Sequence, residues 1–260
     1  MFHPRVHRAL VVLAFALSFP AARAGTITVT RIDGNRGLGT GTGEHLYINE
    51  NGAISDVYFA GVLLIRVSDG LASFNRDALC VDLFTDIQIG RTFQTTLLRP
   101  DQVPGKHLDR VSWLVDNVLA PDDGTTFYST LSSDNWVTTP AQGAGVQLAI
   151  WDIVHDGGDG FYAGSVQAST ALGRTTDAEV LGWAMKYEML SQGMSSDFAF
   201  VYDNVDVNGK EVQMLIGPRF TDGPQPPVPE PSTFALALLP LLGLLVCRRM
   251  RPRRAASGGC

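Results

Sequence analysis

The sequence predicts an α+β fold: an antiparallel β-sandwich or barrel with a helical insertion, on a chain that carries an export signal at each end. Three observations predict it. From Gly25 to about Gln94 the residues alternate or run β-branched and aromatic, as strands do. The middle of the chain then switches to a helical period. After about residue 197 the strand pattern returns.

The elements follow in chain order. "TITVTRI" alternates strictly, and "DVYFAGVLLIRV" is β-branched and aromatic. "ALCVDLFTDI" reads as a strand with Cys80, Asp82 and Phe84 on one side and Val81 and Leu83 on the other; the pattern leaves the burial of Cys80 open. "RGLGTGTGE", Arg36–Glu44, is a glycine-rich loop, but no helix follows it, so it does not read as a phosphate cradle. "HLDRVSWLVDNVLA" places Leu108, Val111, Leu114, Val115 and Val118 at helical spacing. "PDDGTTFYSTLSSDNWVTTPAQ" reads as a polar loop. "VQLAIWDIVHDGG" is a second helix that stops at a glycine pair, and "DAEVLGWAMKYEMLSQG" a third that ends at Gly193. "FAFVYDNVDVNGKEVQMLI" is a closing hairpin with Asn208–Gly209 as its turn.

Both ends read as sorting signals. Residues 1–24 have Arg5 and Arg8, an apolar run from Ala9 to about Phe19, and a small-x-small site that ends at Ala24. This is the layout of a signal peptide cut by signal peptidase between Ala24 and Gly25. Residues 25–222 form the extracellular domain. Residues 223–233 are a proline-rich linker, 234–247 an apolar transmembrane sorting helix interrupted by Pro240, and 248–260 a basic cytoplasmic tail. The formal net charge is −6, but eight arginines lie in the two signals; between Gly25 and Pro224 stand 12 Lys and Arg against 25 Asp and Glu, about −13. So acidic a body excludes nucleic acid and anionic lipid as partners. About 200 residues suffice for one core.

Two residues pose one problem. Cys80 is the single cysteine of the mature body, since Cys247 and Cys260 belong to the tail, and an unpaired thiol outside the cell invites explanation. Gln147 shares a helix face with Ile150, Trp151 and Val154, so its carboxamide needs partners away from water; leaving one group unpaired costs about 1–3 kcal/mol. Either it has a dedicated partner or its side chain is chemically altered. Attack of the Cys80 thiol on the Gln147 carbonyl, with loss of ammonia, gives an internal thioester and removes both difficulties.

Two resemblances bear on this. Pro229–Glu230–Pro231, the short apolar helix and the arginines resemble the PEP-CTERM sorting signal. That resemblance implies processing by an exosortase in a Gram-negative bacterium, transient anchoring in the envelope, and an association with exopolysaccharide and biofilm. Leu79–Cys80 and Val146–Gln147–Leu148–Ala149–Ile150–Trp151 resemble the two elements of the bacterial thioester domain family of surface adhesins. That resemblance implies a β-sandwich-like part bearing the cysteine, a helical part with the glutamine at the start of a helix, and a Cys80–Gln147 thioester bond. The chain would capture, covalently and once, a lysine amine of a partner protein or a hydroxyl of a polysaccharide. It would be no turnover enzyme and would need no cofactor or metal.

Supporting roles are open to three neighbours. Trp151 reads as packing over the bond. Asp152 falls beside the apolar stripe, as a surface charge or a handler of the amine proton. His155 reads as a helix C-terminal charge or a base. "DGGDG", Asp156–Gly160, reads as a helix stop and turn; as a calcium loop it lacks the longer acidic ladder. Two other classes remain. One is a non-reactive exported matrix or carbohydrate-binding protein, with Cys80 a buried apolar residue and Gln147 a bonded core polar group. The other is a cysteine hydrolase with His107 or His155 as base, which no local signature supports.

Overall fold

The barrel predicted as one of two alternatives is the one that forms, and it is closed. The computed structural model describes residues 23–31, 43–50, 53–68, 73–83, 85, 87–119, 129–168 and 178–218. These fall in a compact unit spanning Ala22–Gln225. Residues 1–22 of the predicted signal peptide, the glycine-rich loop up to residue 42, the linker, the PEP triplet, the predicted sorting helix and the basic tail lie outside the described residues, whereas Arg23 and Ala24, the last two residues of the predicted signal peptide, begin the first strand of the domain. Among the described residues no helix is long and apolar enough to cross a membrane.

Six strands come first: β1 (Arg23–Arg31), β2 (Gly43–Glu50), β3 (Ala53–Gly61), β4 (Leu63–Ser68), β5 (Ser73–Cys80) and β6 (Thr92–Leu98). The insertion follows, with α1 (Leu108–Val118), α2 (Pro140–Asp156), a two-residue β7 (Val166–Gln167) and α3 (Ala178–Ser191). β8 (Phe200–Val205) and β9 (Leu215–Gly217) close the domain. The barrel order is β1-β4-β5-β9-β8-β6, antiparallel throughout and sealed by pairing of β6 with β1. Closure removes free strand edges. A separate three-stranded sheet has the order β3-β2-β7. "DVYFAGVLLIRV" is thus two strands in two sheets, β3 and β4, divided at Val62.

Alternate residues of the barrel strands sort into two packed clusters. Ile27, Ile65, Val67, Ala78, Cys80, Phe93, Tyr202 and Leu215 join Leu148 and Trp151 of α2. The intervening Leu79, Val201 and Ile216 join α1 and the other side of α2, through Val146, Ile150 and Ile153. β5 is therefore covered on both faces near its end, which is why side-to-side alternation did not settle the burial of Cys80. Each large side chain so buried contributes about 1.5–3 kcal/mol.

α2 is the centre of the insertion, touching β2, β3, β5, β7, α1 and α3. It begins at Pro140, six residues before the predicted start at Val146. Thr139 accepts from the Gln142 backbone N–H at 3.2 Å, the Gln142 side chain accepts from the Thr139 N–H at 2.9 Å, and Pro140 occupies the first turn. That is a capping box with proline at its favoured place. Gln147 consequently lies in the middle of the helix, not at its start. Every residue from Gln142 to Val154 is buried, so α2 has no solvent stripe. It crosses α3 closely at Gly145, where a Cβ would stand 2.6 Å from the Trp183 Cβ and 3.1 Å from the Ala184 backbone nitrogen. The helix ends on Gly157 in the left-handed region.

The closing hairpin turns one residue earlier than predicted. The Asp206 carboxylate accepts from the backbone N–H of Asn208 at 2.8 Å and of Lys210 at 2.9 Å, and the Gly209 N–H returns to the Asp206 carbonyl. Val207 and Asn208 are the central pair. Asn208 keeps a negative φ, and only Gly209 enters the left-handed region, so an Asp-anchored turn replaces the mirror-image Asn–Gly turn.

Candidate functional site

Cys80 is the last residue of β5. Toward β9 it stands opposite Leu215, while the register of β5 with β4 runs out at the Leu63–Ala78 pair. The Cys80 peptide groups therefore lack a strand partner on the β4 side. The Gln147 side chain takes that place. The Cys80 N–H donates to Gln147 Oε1 at 2.7 Å, and Gln147 Nε2 donates to the Cys80 carbonyl at 2.6 Å. The carboxamide presents one acceptor and one donor, as the peptide of an adjoining strand would.

Gln147 is fully buried and Cys80 is 6% exposed. Neither side of the carboxamide is wasted, so the buried glutamine has a dedicated partner, and that partner is the backbone of the orphan cysteine. Cys80 forms no disulfide. Burial pushes its thiol pKa well above the ordinary range, and the Asp82 carboxylate pushes it further. A neutral sulfur is thus strongly favoured over a thiolate here. Asp82 pairs with the Lys106 ammonium and accepts from the Met214 N–H at 3.1 Å. The sequence reading overlooked this pair; the only signal was that Asp82 stands two residues from Cys80.

Trp151 packs in the same cluster as Cys80 and is 1% exposed, one helical turn beyond Gln147. Asp152 is not the surface charge expected. It is fully buried, because the barrel, the small sheet and the two other helices surround α2 on all sides. Its Oδ2 accepts from the Gly160 N–H at 3.3 Å, while Oδ1 meets no donor among the described residues. Burial, then the negative charge of Glu188, raise its carboxyl to about 7; Asp159 and Asp156 add to the rise and the Gly160 N–H opposes it. His155 sits in the last turn of α2, eight residues beyond Gln147, which is about 12 Å along the axis. At that separation it does not serve the Gln147 carbonyl as a base. His107 is exposed at the start of α1 with φ 50°. The structure thus brings together Cys80, Gln147 and Trp151, and assigns Asp152 and His155 to the far end of the helix.

The far end is held by Arg110 of α1. Its guanidinium donates to the Gly157 carbonyl at 2.8 Å, the Glu188 carbonyl at 2.8 Å and the Ser191 hydroxyl at 3.1 Å, joining all three helices.

No family model matches the chain. No curated protein matches it either. Among solved structures it is similar to the N-terminal domain of the Streptococcus pyogenes pilus tip adhesin Cpa, at 11% identity and a TM-score of 0.37, over 76% of this chain and 94% of that one. That is a distant likeness, and the chemistry of the site rests on its own geometry.

Proposed function

We propose that the chain is an exported surface or matrix protein that captures a partner covalently through a Cys80–Gln147 thioester. The observation that carries this reading is the pair of reciprocal hydrogen bonds that hold the Gln147 carboxamide against Cys80 in a water-poor core. Formation adds the Cys80 sulfur to the carboxamide carbon. The carbon–nitrogen bond breaks, and ammonia leaves with the thiol proton. Capture reverses the polarity of exchange: a partner amine adds to the same carbon, the carbon–sulfur bond breaks, and the proton returns to sulfur. A polysaccharide hydroxyl gives an ester in place of the amide.

The two backbone contacts have chemical uses in this scheme. The Cys80 N–H, 2.7 Å from Oε1, is a fixed donor for the oxyanion of each tetrahedral intermediate. The Cys80 carbonyl, 2.6 Å from Nε2, marks where nitrogen leaves and where the incoming amine arrives. The product amide restores both bonds. Burial acts in the same direction, since a thioester sulfur carries no charge to desolvate, whereas a thiolate does. Trp151 excludes water from the bond. The protein does not regenerate, so it is a single-use binder without turnover or cofactor.

Export, cleavage between Ala24 and Gly25, exosortase processing near Pro229–Glu230–Pro231 and an envelope or matrix location in a Gram-negative bacterium belong to the same proposal. They rest on the sequence pattern. A second reading has a specific observation in its favour. Both polar atoms of the carboxamide are hydrogen-bonded as they stand, which suits a non-reactive matrix or carbohydrate-binding protein of a biofilm.

Intact mass of the purified mature domain, which keeps Cys80 but not Cys247 or Cys260, distinguishes the two. The thioester gives a mass short by one ammonia, no titratable thiol under denaturation, and an adduct with methylamine that Cys80→Ala abolishes. Full mass with one thiol on denaturation sinks the covalent reading.

A further inference from the structure

The geometry points to a divalent-cation site, of the calcium type, formed by Asp152, Asp156 and Asp159 at the carboxyl end of α2. It is independent of the Cys80–Gln147 chemistry. Asp152 and Asp156 are one helical turn apart and share a face. Gly157 and Gly158, both in the left-handed region with φ 75° and 80°, turn the chain back so that Asp159 joins them. Each of the three offers a carboxylate oxygen, and these oxygens lie within 4.8 Å of one another.

The buried member carries the inference. Asp152 is fully enclosed, yet Oδ1 has no donor among the described residues and Oδ2 has only the 3.3 Å contact with Gly160. A buried carboxylate oxygen without a partner needs a proton or a cation. The surroundings favour the cation. Three carboxylates are gathered at the negative end of a helix dipole, where acidic groups are least welcome. Glu188 of α3 adds negative charge felt by both Asp152 and Asp159. Arg110 reaches this end, but its guanidinium donates to carbonyls and a hydroxyl.

The loop behind the cluster is shaped around it. Asp156 accepts from the N–H groups of Ser165 at 2.9 Å and Val166 at 2.6 Å, so the returning chain is pinned to one of the three carboxylates. At Gly164 a Cβ would stand 2.7 Å from the Asp156 carboxyl carbon and 2.8 Å from Asp159 Oδ1, so a side chain there would crowd the carboxylates. An all-oxygen donor set selects a hard cation. Calcium accepts irregular geometry completed by water, whereas magnesium demands a near-octahedral shell. Three carboxylates on an exported domain suit the weak range of extracellular calcium modules, dissociation constants of about 10⁻⁴–10⁻³ M.

The test uses the full-length protein stripped with chelator. Equilibrium dialysis with radioactive calcium is expected to show a single saturable ion per chain. Calcium at millimolar concentration is expected to raise the melting temperature, and equal magnesium to leave it unchanged. Asp159→Asn, at an exposed position, should lose the bound ion and the melting increment while melting normally in chelator. Asp152→Asn should lose the ion and melt no lower than wild type in chelator. Absence of saturable calcium binding by the wild-type protein overturns the site, as does binding that survives in both variants.

Discussion

α2 buries a polar side chain near its middle and another near its carboxyl end, and the two are treated in opposite ways. Gln147 is neutral and both its polar atoms are paired at 2.6–2.7 Å with the backbone of Cys80. Asp152 is ionisable, enclosed just as completely, and has one oxygen unpaired among the described residues, beside two more carboxylates. Burial alone therefore says little about a polar group's role. The first is a finished hydrogen-bonded joint between the Gln147 carboxamide and the backbone of Cys80. The second is an unfinished shell of negative oxygen.

The sharpest break of that contrast is Gln147→Ala. It leaves the Cys80 N–H and carbonyl buried without partners and forfeits the proposed cross-link, so it should be the most destabilising change. It is expected to exceed Cys80→Ala by about 1–3 kcal/mol in urea unfolding. Cys80→Ala keeps the carboxamide joint and removes only the proposed cross-link. If the proposed thioester closes the 67-residue separation between the two positions, the loop-entropy rule for cross-links gives a loss of about 4 kcal/mol. A loss near 1 kcal/mol or less would instead identify an inert core cysteine.

At the acidic end the expected effect is a pH dependence. The Asp152 carboxyl is raised to about 7 in the folded protein, above its unfolded value. Its contribution to stability is thus fully present below the unfolded pKa and is lost as pH rises through about 7. In chelator, the protein should unfold at a higher urea concentration at pH 5 than at pH 8. Asp152→Asn should flatten that slope, even though Glu188, Asp156, Asp159 and Arg110 surround the group. The smallest effect belongs to the helix's other terminus. Thr139→Ala removes one half of the capping box and should cost about 1 kcal/mol, with no change in thiol titration or calcium binding.

That Cys80 and Gln147 meet was legible because each was an anomaly of the sequence, an orphan thiol and a glutamine on an apolar helix face; that they meet through the Cys80 backbone was not. The three helices and the order of strands, helices, strands were legible from period alone. The start of α2 was written in Thr139-Pro140-x-Gln142, but threonines and prolines amid polar residues resemble a loop until the cap is looked for. Asp152 was misplaced for a different reason. Periodicity reports which face of a helix is apolar, not how many neighbours surround it, and α2 is enclosed by six elements. The sheet of β2, β3 and β7 was invisible because β7 is two residues long and pairs across more than a hundred positions with Asn49 and Glu50. The acidic cluster was half seen: the window from Asp156 to Gly160 omitted the aspartate one turn earlier in the helix.

The carboxamide that stands in for a missing strand also fixes an order of events. During synthesis β5 emerges long before α2, so the end of the strand must wait for a distant helix to complete its ladder. Contacts of such long range form late and slowly. Throughout that interval the sulfur is uncovered and open to sulfenic or mixed-disulfide chemistry. Prompt seating of the insertion is therefore what keeps the thiol unspoiled.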